Sequence, residues 1–149
     1  PDHANQFGLL GNAQNAVAPQ KRMLSSMTPT IVTKGGDLRL VVGTPGGATI
    51  ITTVFQTIMN VVDFGMTAQQ SVNARKVHSQ WQPDLVMLER GTLSVPSMIG
   101  LMRRGHKLYA WPRFKYELGR VEAVLIDADR TRLGAADYTR GEDDRALGF

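Results

Sequence analysis

The stretch TPTIVTKGGDLRLVVGTPGGATIITTVFQTIMNVVDFG, residues 28–65, changes its hydrophobic period midway, and that change decides the fold. Residues 30–33 and 38–43 are short β-prone runs on either side of Lys34-Gly35-Gly36-Asp37. Paired glycines supply the positive φ angles of a tight turn, so the two runs read as a β-hairpin. From residue 47 to 64 the apolar side chains Ile50, Ile51, Val54, Phe55, Ile58, Met59, Val61 and Val62 recur at helical spacing. The β-branched content is high for a helix, but the length of the run rules out a strand, and Gly65 is placed to end the element. A hairpin therefore feeds a helix through the glycine-rich turn Thr44-Pro45-Gly46-Gly47.

Working outward, TAQQSVNA is a second, shorter helix: Thr67 caps it, and Gln70 reaches back in the capping-box manner. Residues 85–89, after Pro83, read as a strand. Ser94, with Pro96 in the first turn, announces a third helix carrying Met98, Ile99, Leu101 and Met102 and stopping at Gly105. KLYAW, residues 107–111, is strand-like. RVEAVLID and RLGAAD flank residues 128–131 as a second hairpin, with Val121, Ala123 and Leu125 on one face and Val124 and Ile126 set apart by the alternation. The first 23 residues and the tail YTRGEDDRALGF show no sustained period and read as irregular. Hairpins, further strands and helices in this order predict an α+β fold, a mostly antiparallel sheet with helices packed on it. No internal repeat argues for a solenoid.

The chain has 149 residues, the size of one domain with a real core, so residues 1–149 are expected to form a single unit. Apolar residues make up 42% and charged ones 20%, which separates it from disordered chains. The net charge of +4 does not imply nucleic acid, because the basic residues form no stripe. The densest cluster, Arg103, Arg104, His106 and Lys107, with Arg113 and Lys115 beyond, reads as solvated surface. There is no cysteine, which excludes disulfides and thiolate metal sites and leaves the compartment open. No apolar run approaches the roughly 20 residues of a membrane span. No signal-peptide pattern opens the chain, and a first residue of proline reads as the start of a mature or cut segment.

Chemistry has few places to sit. In GTPGGATI, Pro45 stiffens the turn, Gly46 and Gly47 allow close backbone approach, and the following helix directs its free N–H groups and positive dipole end at the same spot. Such a place suits a phosphate, or an oxygen acquiring negative charge during acyl transfer, or it is a turn with no ligand. No Gly-Lys-Ser/Thr or G-x-G-x-x-G pattern supports the phosphate. Ser25 and Ser26 have no base beside them and no G-x-S-x-G around them, which argues against a nucleophile. Two adjacent hydroxyls held by Leu24 and Met27 can instead donate to both oxygens of a carboxylate; ordinary loop polarity is the competing reading. His3, His78 and His106 lack metal spacing and read as structural or exposed. Asp127 and Asp129, and Glu142, Asp143 and Asp144, read as turn and tail acids without a calcium pattern. Trp81, Tyr109, Trp111, Phe114 and Tyr116 read as core and rim. No metal or cofactor is expected.

KRMLSSMTPTIV, VVGTPGGATIITTVFQTIMNVVDFGM and VNARKVHSQWQPD, in this order and separation, resemble the small, catalytic subunit of γ-glutamyltransferases (γ-glutamyl transpeptidases). The likeness runs from about Asn5 to the C-terminus and is strongest over residues 21–84. It implies part of the four-layer αββα sandwich of N-terminal-nucleophile hydrolases, and a periplasmic or extracellular location. It implies that Ser25 and Ser26 hold the α-carboxylate of a γ-glutamyl donor, and that Gly46 and Gly47 form an oxyanion hole. The family's nucleophile is a threonine freed by autoprocessing, which carries the acyl group before it passes to water or an amine. No match to that threonine, to the threonine or asparagine near it, or to the acids holding the donor's amino group falls within these residues. The arginine for the α-carboxylate belongs to the large subunit. Met23 and Ala48 stand where the family usually has proline and often serine.

The resemblance thus implies the C-terminal portion of the small subunit. Alone it is expected to be inactive, and to pair with the rest of the small subunit and the large subunit, or with itself, through faces a partial sandwich leaves bare. A non-catalytic binding or assembly module on the same fold is the rival reading.

Overall fold

The computed structural model describes residues 3–5, 7–111, 118–140 and 144–147. Arg113, Phe114, Lys115, Tyr116, Glu142 and Asp143, and the side chain of Trp111, lie outside the described residues.

The expected hairpin forms from β1 (Thr30–Lys34) and β2 (Asp37–Gly43), turning at Gly35-Gly36. β2 pairs on its other side with β6 (Glu122–Ile126), which forms the second hairpin with β7 (Arg132–Ala136). The result is a four-stranded antiparallel sheet in the order β1-β2-β6-β7. Strand alternation puts Leu40, Val42, Ala123 and Ala135 on its inner face, and all four are buried.

The helix α1 (Ile50–Val62) begins after a single 3₁₀ turn, Gly47–Thr49, and lies on that inner face through Ile50 and Val54. Two of its buried positions are threonines. The Thr57 hydroxyl donates to Thr53 O at 2.9 Å, and the Thr53 hydroxyl bonds Leu118 O, so neither is left unpaired against the core. The helix α2 (Ala68–Asn73) has the expected capping box, with Thr67 accepting from Gln70 N and Gln70 Oε1 accepting from Thr67 N at 3.0 Å. Val72 completes the core at 0% exposure. Ser71 Oγ joins the helices by donating to Thr57 O at 2.8 Å.

A three-stranded sheet has the order β3-β4-β5, from Val77–His78, Val86–Glu89 and Leu108–Trp111. β4 and β5 are parallel, and α3 (Val95–Arg103) makes the crossover between them. Ser94 caps α3, and the bonds from Gly105 N to Met102 O and from His106 N to Leu101 O close it where expected. The two-residue β3 was not expected. Gln56, projecting from α1, fixes it by donating to Val77 O and accepting from Val77 N. No helix among the described residues is long and apolar enough to cross a membrane.

Candidate functional site: the serine pair and the glycine loop

The hairpin itself brings the two motifs together. Thr30 pairs with Val42 and Ile31 with Val41, so each step back from β1 is matched by a step forward from β2. Continued past the strand ends, that register sets Ser25 and Ser26 beside Gly46 and Gly47. The contact is direct: Ser26 Oγ donates to Gly47 O at 2.9 Å. Thr28 Oγ1 donates to Ser26 O at 3.0 Å and Met27 N to Ser25 Oγ at 3.1 Å, which shapes the segment.

The two hydroxyls are therefore not equivalent. Ser26 spends its proton on the loop, whereas Ser25, exposed, accepts from Met27 N and keeps its own proton free to donate. Leu24 and Met27 do not hold the pair as expected: both are largely exposed, and the grip comes from backbone hydrogen bonding.

Gly46 has φ 144° and Gly47 φ 61°, conformations that side chains rarely adopt. Space is short as well: a Cβ on Gly46 would lie 2.6 Å from Thr49 Oγ1, and one on Gly47 2.5 Å from the Phe7 ring. The loop is anchored by Thr49, whose N and Oγ1 both donate to Gly46 O, at 3.2 and 3.0 Å. Neither the Gly46 nor the Gly47 amide takes part in the hydrogen bonds the described residues make; Gly46 caps and Gly47 opens the 3₁₀ turn that runs into α1, where the helix dipole favours negative charge. A turn of this kind can receive an anion or an oxygen that gains negative charge.

Two neighbours of this loop carried no motif in the sequence. Phe7 lays its ring on Gly47, and Gly119 lets the chain before β6 pass beneath Thr44, where a Cβ would come within 2.6 Å of Thr44 Oγ1.

A second constellation, also unforeseen, lies on the other side of α2. Lys76, 1% exposed, donates from Nζ to Val72 O and Ala74 O, both at 2.9 Å, with Asp137 Oδ2 at 4.0 Å. Arg140 Nε donates to Glu89 Oε1 at 2.7 Å, its Nη2 to Ala74 O at 3.0 Å, and its Nη1 to Asp137 Oδ2. Burial, and then the positive charge of Arg140, push the Lys76 ammonium down to about 8 against the opposing pull of Asp137 and Glu89. Burial opposes charge on Arg140 too, but the hydrogen bonds and charges of Glu89 and Asp137 raise its pKa further. The cluster ties the carbonyl end of α2 to β4 and to the chain after β7.

The histidines do not converge. His78 is buried between Thr52 and Gln80, while His3 and His106 are exposed, and the described residues hold no group of three or more metal-ligating side chains. Arg103, Arg104, His106 and Lys107 are exposed, as expected of solvated surface. Trp81 and Tyr109 are more exposed than a core or rim position implies, at 75% and 48%. Asp127 and Asp129 are turn acids, accepting from Ala128 N and Thr131 N.

The γ-glutamyltranspeptidase family model matches residues 1–147. The glutathione hydrolase proenzyme of Escherichia coli is 40% identical over 149 residues, all of this chain and 25% of the relative; the chain thus spans a quarter of that protein's length. A γ-glutamyltranspeptidase from Pseudomonas nitroreducens superimposes with a TM-score of 0.84 at 36% identity, covering 100% of this chain and 74% of that one. A cephalosporin acylase from Bacillus halodurans gives a TM-score of 0.77 at 25% identity over 90% of this chain and 24% of its own.

Proposed function

The chain belongs to the γ-glutamyltranspeptidase family, and from that premise we propose that it is the C-terminal portion of a small catalytic subunit, supplying part of a γ-glutamyl-transferring or γ-glutamyl-hydrolysing site. In this reading Ser25 donates to the donor's α-carboxylate. Ser26 fixes the distance between that grip and the glycine loop, and the Gly46 and Gly47 amides receive the oxygen of the γ-carbonyl as it becomes an oxyanion. The observation that supports the reading is the Ser26–Gly47 hydrogen bond, because it sets the serine pair and the glycine turn side by side.

The division of labour follows from physical chemistry. A carboxylate is charged before and during reaction, so its grip strengthens substrate and transition state alike and acts on KM. The γ-oxygen becomes charged only in the transition state, so preorganised amides facing it act on kcat. Attack requires a nucleophile, and none of these residues has the partners to be one. The reading assigns attack to a threonine outside the 149 residues, which forms an acyl ester and releases the donor's amine; water or an acceptor amine then takes the γ-glutamyl group and frees the threonine. The rest of the small subunit and the large subunit are the partners this requires. The relatives' names favour glutathione-like donors.

The test is release of p-nitroaniline from γ-glutamyl-p-nitroanilide by the full-length protein and by the 149-residue chain alone. Turnover by the first and none above buffer by the second is expected; robust turnover by the chain alone contradicts the division of the site.

A further inference from the structure

The Gly46–Gly47 peptide lies between two glycines, so it can rotate about the Gly46 ψ and the Gly47 φ more freely than its neighbours in the loop. Such a rotation leaves the path of the chain nearly unchanged and turns the carbonyl and the N–H of that peptide end for end. The peptide is trans, with Gly46 O and the Gly47 N–H on opposite sides of the bond. Whatever holds the oxygen therefore sets the direction of the N–H.

One residue holds it. Thr49 N donates to Gly46 O at 3.2 Å and Thr49 Oγ1 donates to the same oxygen at 3.0 Å, which occupies both of its lone pairs. The backbone bond is the ordinary closure of a 3₁₀ turn, and any residue but proline makes it; the second bond needs a short hydroxyl side chain. That hydroxyl also takes the space of a side chain at residue 46, since a Cβ there would lie 2.6 Å from Thr49 Oγ1. The next peptide is held in the same way: Gly47 O accepts from Ile50 N and from Ser26 Oγ, the latter at 2.9 Å. Two hydroxyls from different segments thus fix two consecutive peptides of the loop.

We propose that Thr49 is a positioning residue that, by clamping the Gly46 carbonyl, keeps the Gly47 N–H aimed at the reacting oxygen. This rests on the reading of Gly46 and Gly47 as the oxyanion site. Thr49 acts only through that peptide. It orients the N–H before reaction, so its effect falls on the transition state and leaves the carboxylate grip of Ser25 unchanged. The hydroxyl bond is exposed to solvent, where a neutral hydrogen bond contributes modestly, so its removal is expected to slow the reaction about three- to tenfold.

The test uses the full-length protein with Thr49→Val and Thr49→Ser. Valine keeps the branched shape and the backbone N–H and puts a methyl group where the hydroxyl was; serine keeps the hydroxyl and loses only a methyl group. With γ-glutamyl-p-nitroanilide, Thr49→Val is expected to lower kcat about three- to tenfold with KM within about twofold of the unmutated value. Thr49→Ser is expected to stay within about twofold of the unmutated protein in both. In crystals of Thr49→Val the Gly46–Gly47 peptide is expected to be rotated or split between two orientations, and in Thr49→Ser to keep its direction. An unchanged kcat, a loss carried by KM, a serine variant as slow as the valine one, or an unmoved peptide in Thr49→Val each overturns the proposal. If the unmutated full-length protein has no γ-glutamyl turnover, the reading of the site fails separately, and the peptide direction in the Thr49→Val crystals still decides whether Thr49 sets it.

Discussion

A methyl group added at Gly47 meets the Phe7 ring at 2.5 Å and sits on a backbone at φ 61°, so Gly47→Ala must turn the peptide or push the ring away. Either response moves an amide that the proposed chemistry uses only in the transition state. In the full-length protein we expect kcat to fall on the order of a hundredfold with KM nearly constant. In the proposed reading Ser25→Ala removes a hydrogen bond to the donor's carboxylate, worth about 1.5–3 kcal/mol, so KM should rise at least tenfold with kcat little changed. Steady-state kinetics on a γ-glutamyl anilide separate the two, and the same split for both variants would remove the distinction of roles. Much at this scale was legible. The two motifs and the hairpin between them were legible, but the register shift between Val32 and Thr33 that brings Ser26 to Gly47 was not. The unequal use of the two hydroxyls was not legible, since it depends on which atoms face the Gly47 carbonyl. Nor was Phe7, which reaches the loop from an irregular segment with no periodicity to mark it.

At the scale of elements, patterns carried by neighbouring residues were read correctly: the Thr67–Gln70 box, the Ser94 cap and both hairpins. What lay beyond sequence reading joins distant positions. β3 exists because Gln56 bonds both backbone groups of Val77, and the Lys76 cluster draws on three separate segments. That cluster makes stability depend on pH. Because the folded state holds Lys76 at about 8, below its ordinary 10.5, it binds fewer protons than the unfolded chain between those values. The cost of the buried charge is present in full below pH 8 and is relieved as pH rises toward 10.5. The stability of the full-length protein relative to its Lys76→Met variant should therefore rise by on the order of 2–3 kcal/mol between pH 7 and 10, followed by thermal unfolding. A difference that stays flat or falls would contradict this. Arg140→Ala leaves Glu89 and Asp137 without their main counter-charge, and should destabilise by about 3–5 kcal/mol in denaturant titration. A loss below about 1 kcal/mol would place the pair among weak surface bridges.

At the scale of the whole molecule, the sheet is covered on one side and, among the described residues, bare on the other. Leu40, Val42 and Ala123 lie under α1 and α2, while the opposite face presents Ile31, Val41 and Val124, with Ile31 69% exposed. The helix α1 is similar, buried through Ile50 and Val54 and open through Ile51, Phe55 and Val62. Apolar surface of this kind is normally covered, and a chain a quarter the length of its Escherichia coli relative leaves much of the family's protein to cover it. Expressed alone, the chain should self-associate in light scattering; a monodisperse monomer would contradict that. The sequence showed the helical spacing of the apolar residues of α1 but not that its buried side would take in Thr53 and Thr57 and leave Ile51, Phe55 and Val62 exposed, because that rotation is set by contacts with distant segments such as Leu118. The central claim is that the Gly46 and Gly47 amides and the Ser25 hydroxyl address one ligand. A crystal structure of the full-length protein with a γ-glutamyl donor analogue tests it most directly. The account predicts the α-carboxylate on Ser25 Oγ and the γ-carbonyl oxygen within about 3.1 Å of the Gly46 and Gly47 amide nitrogens; a γ-carbonyl bound elsewhere, with those amides facing solvent, contradicts it.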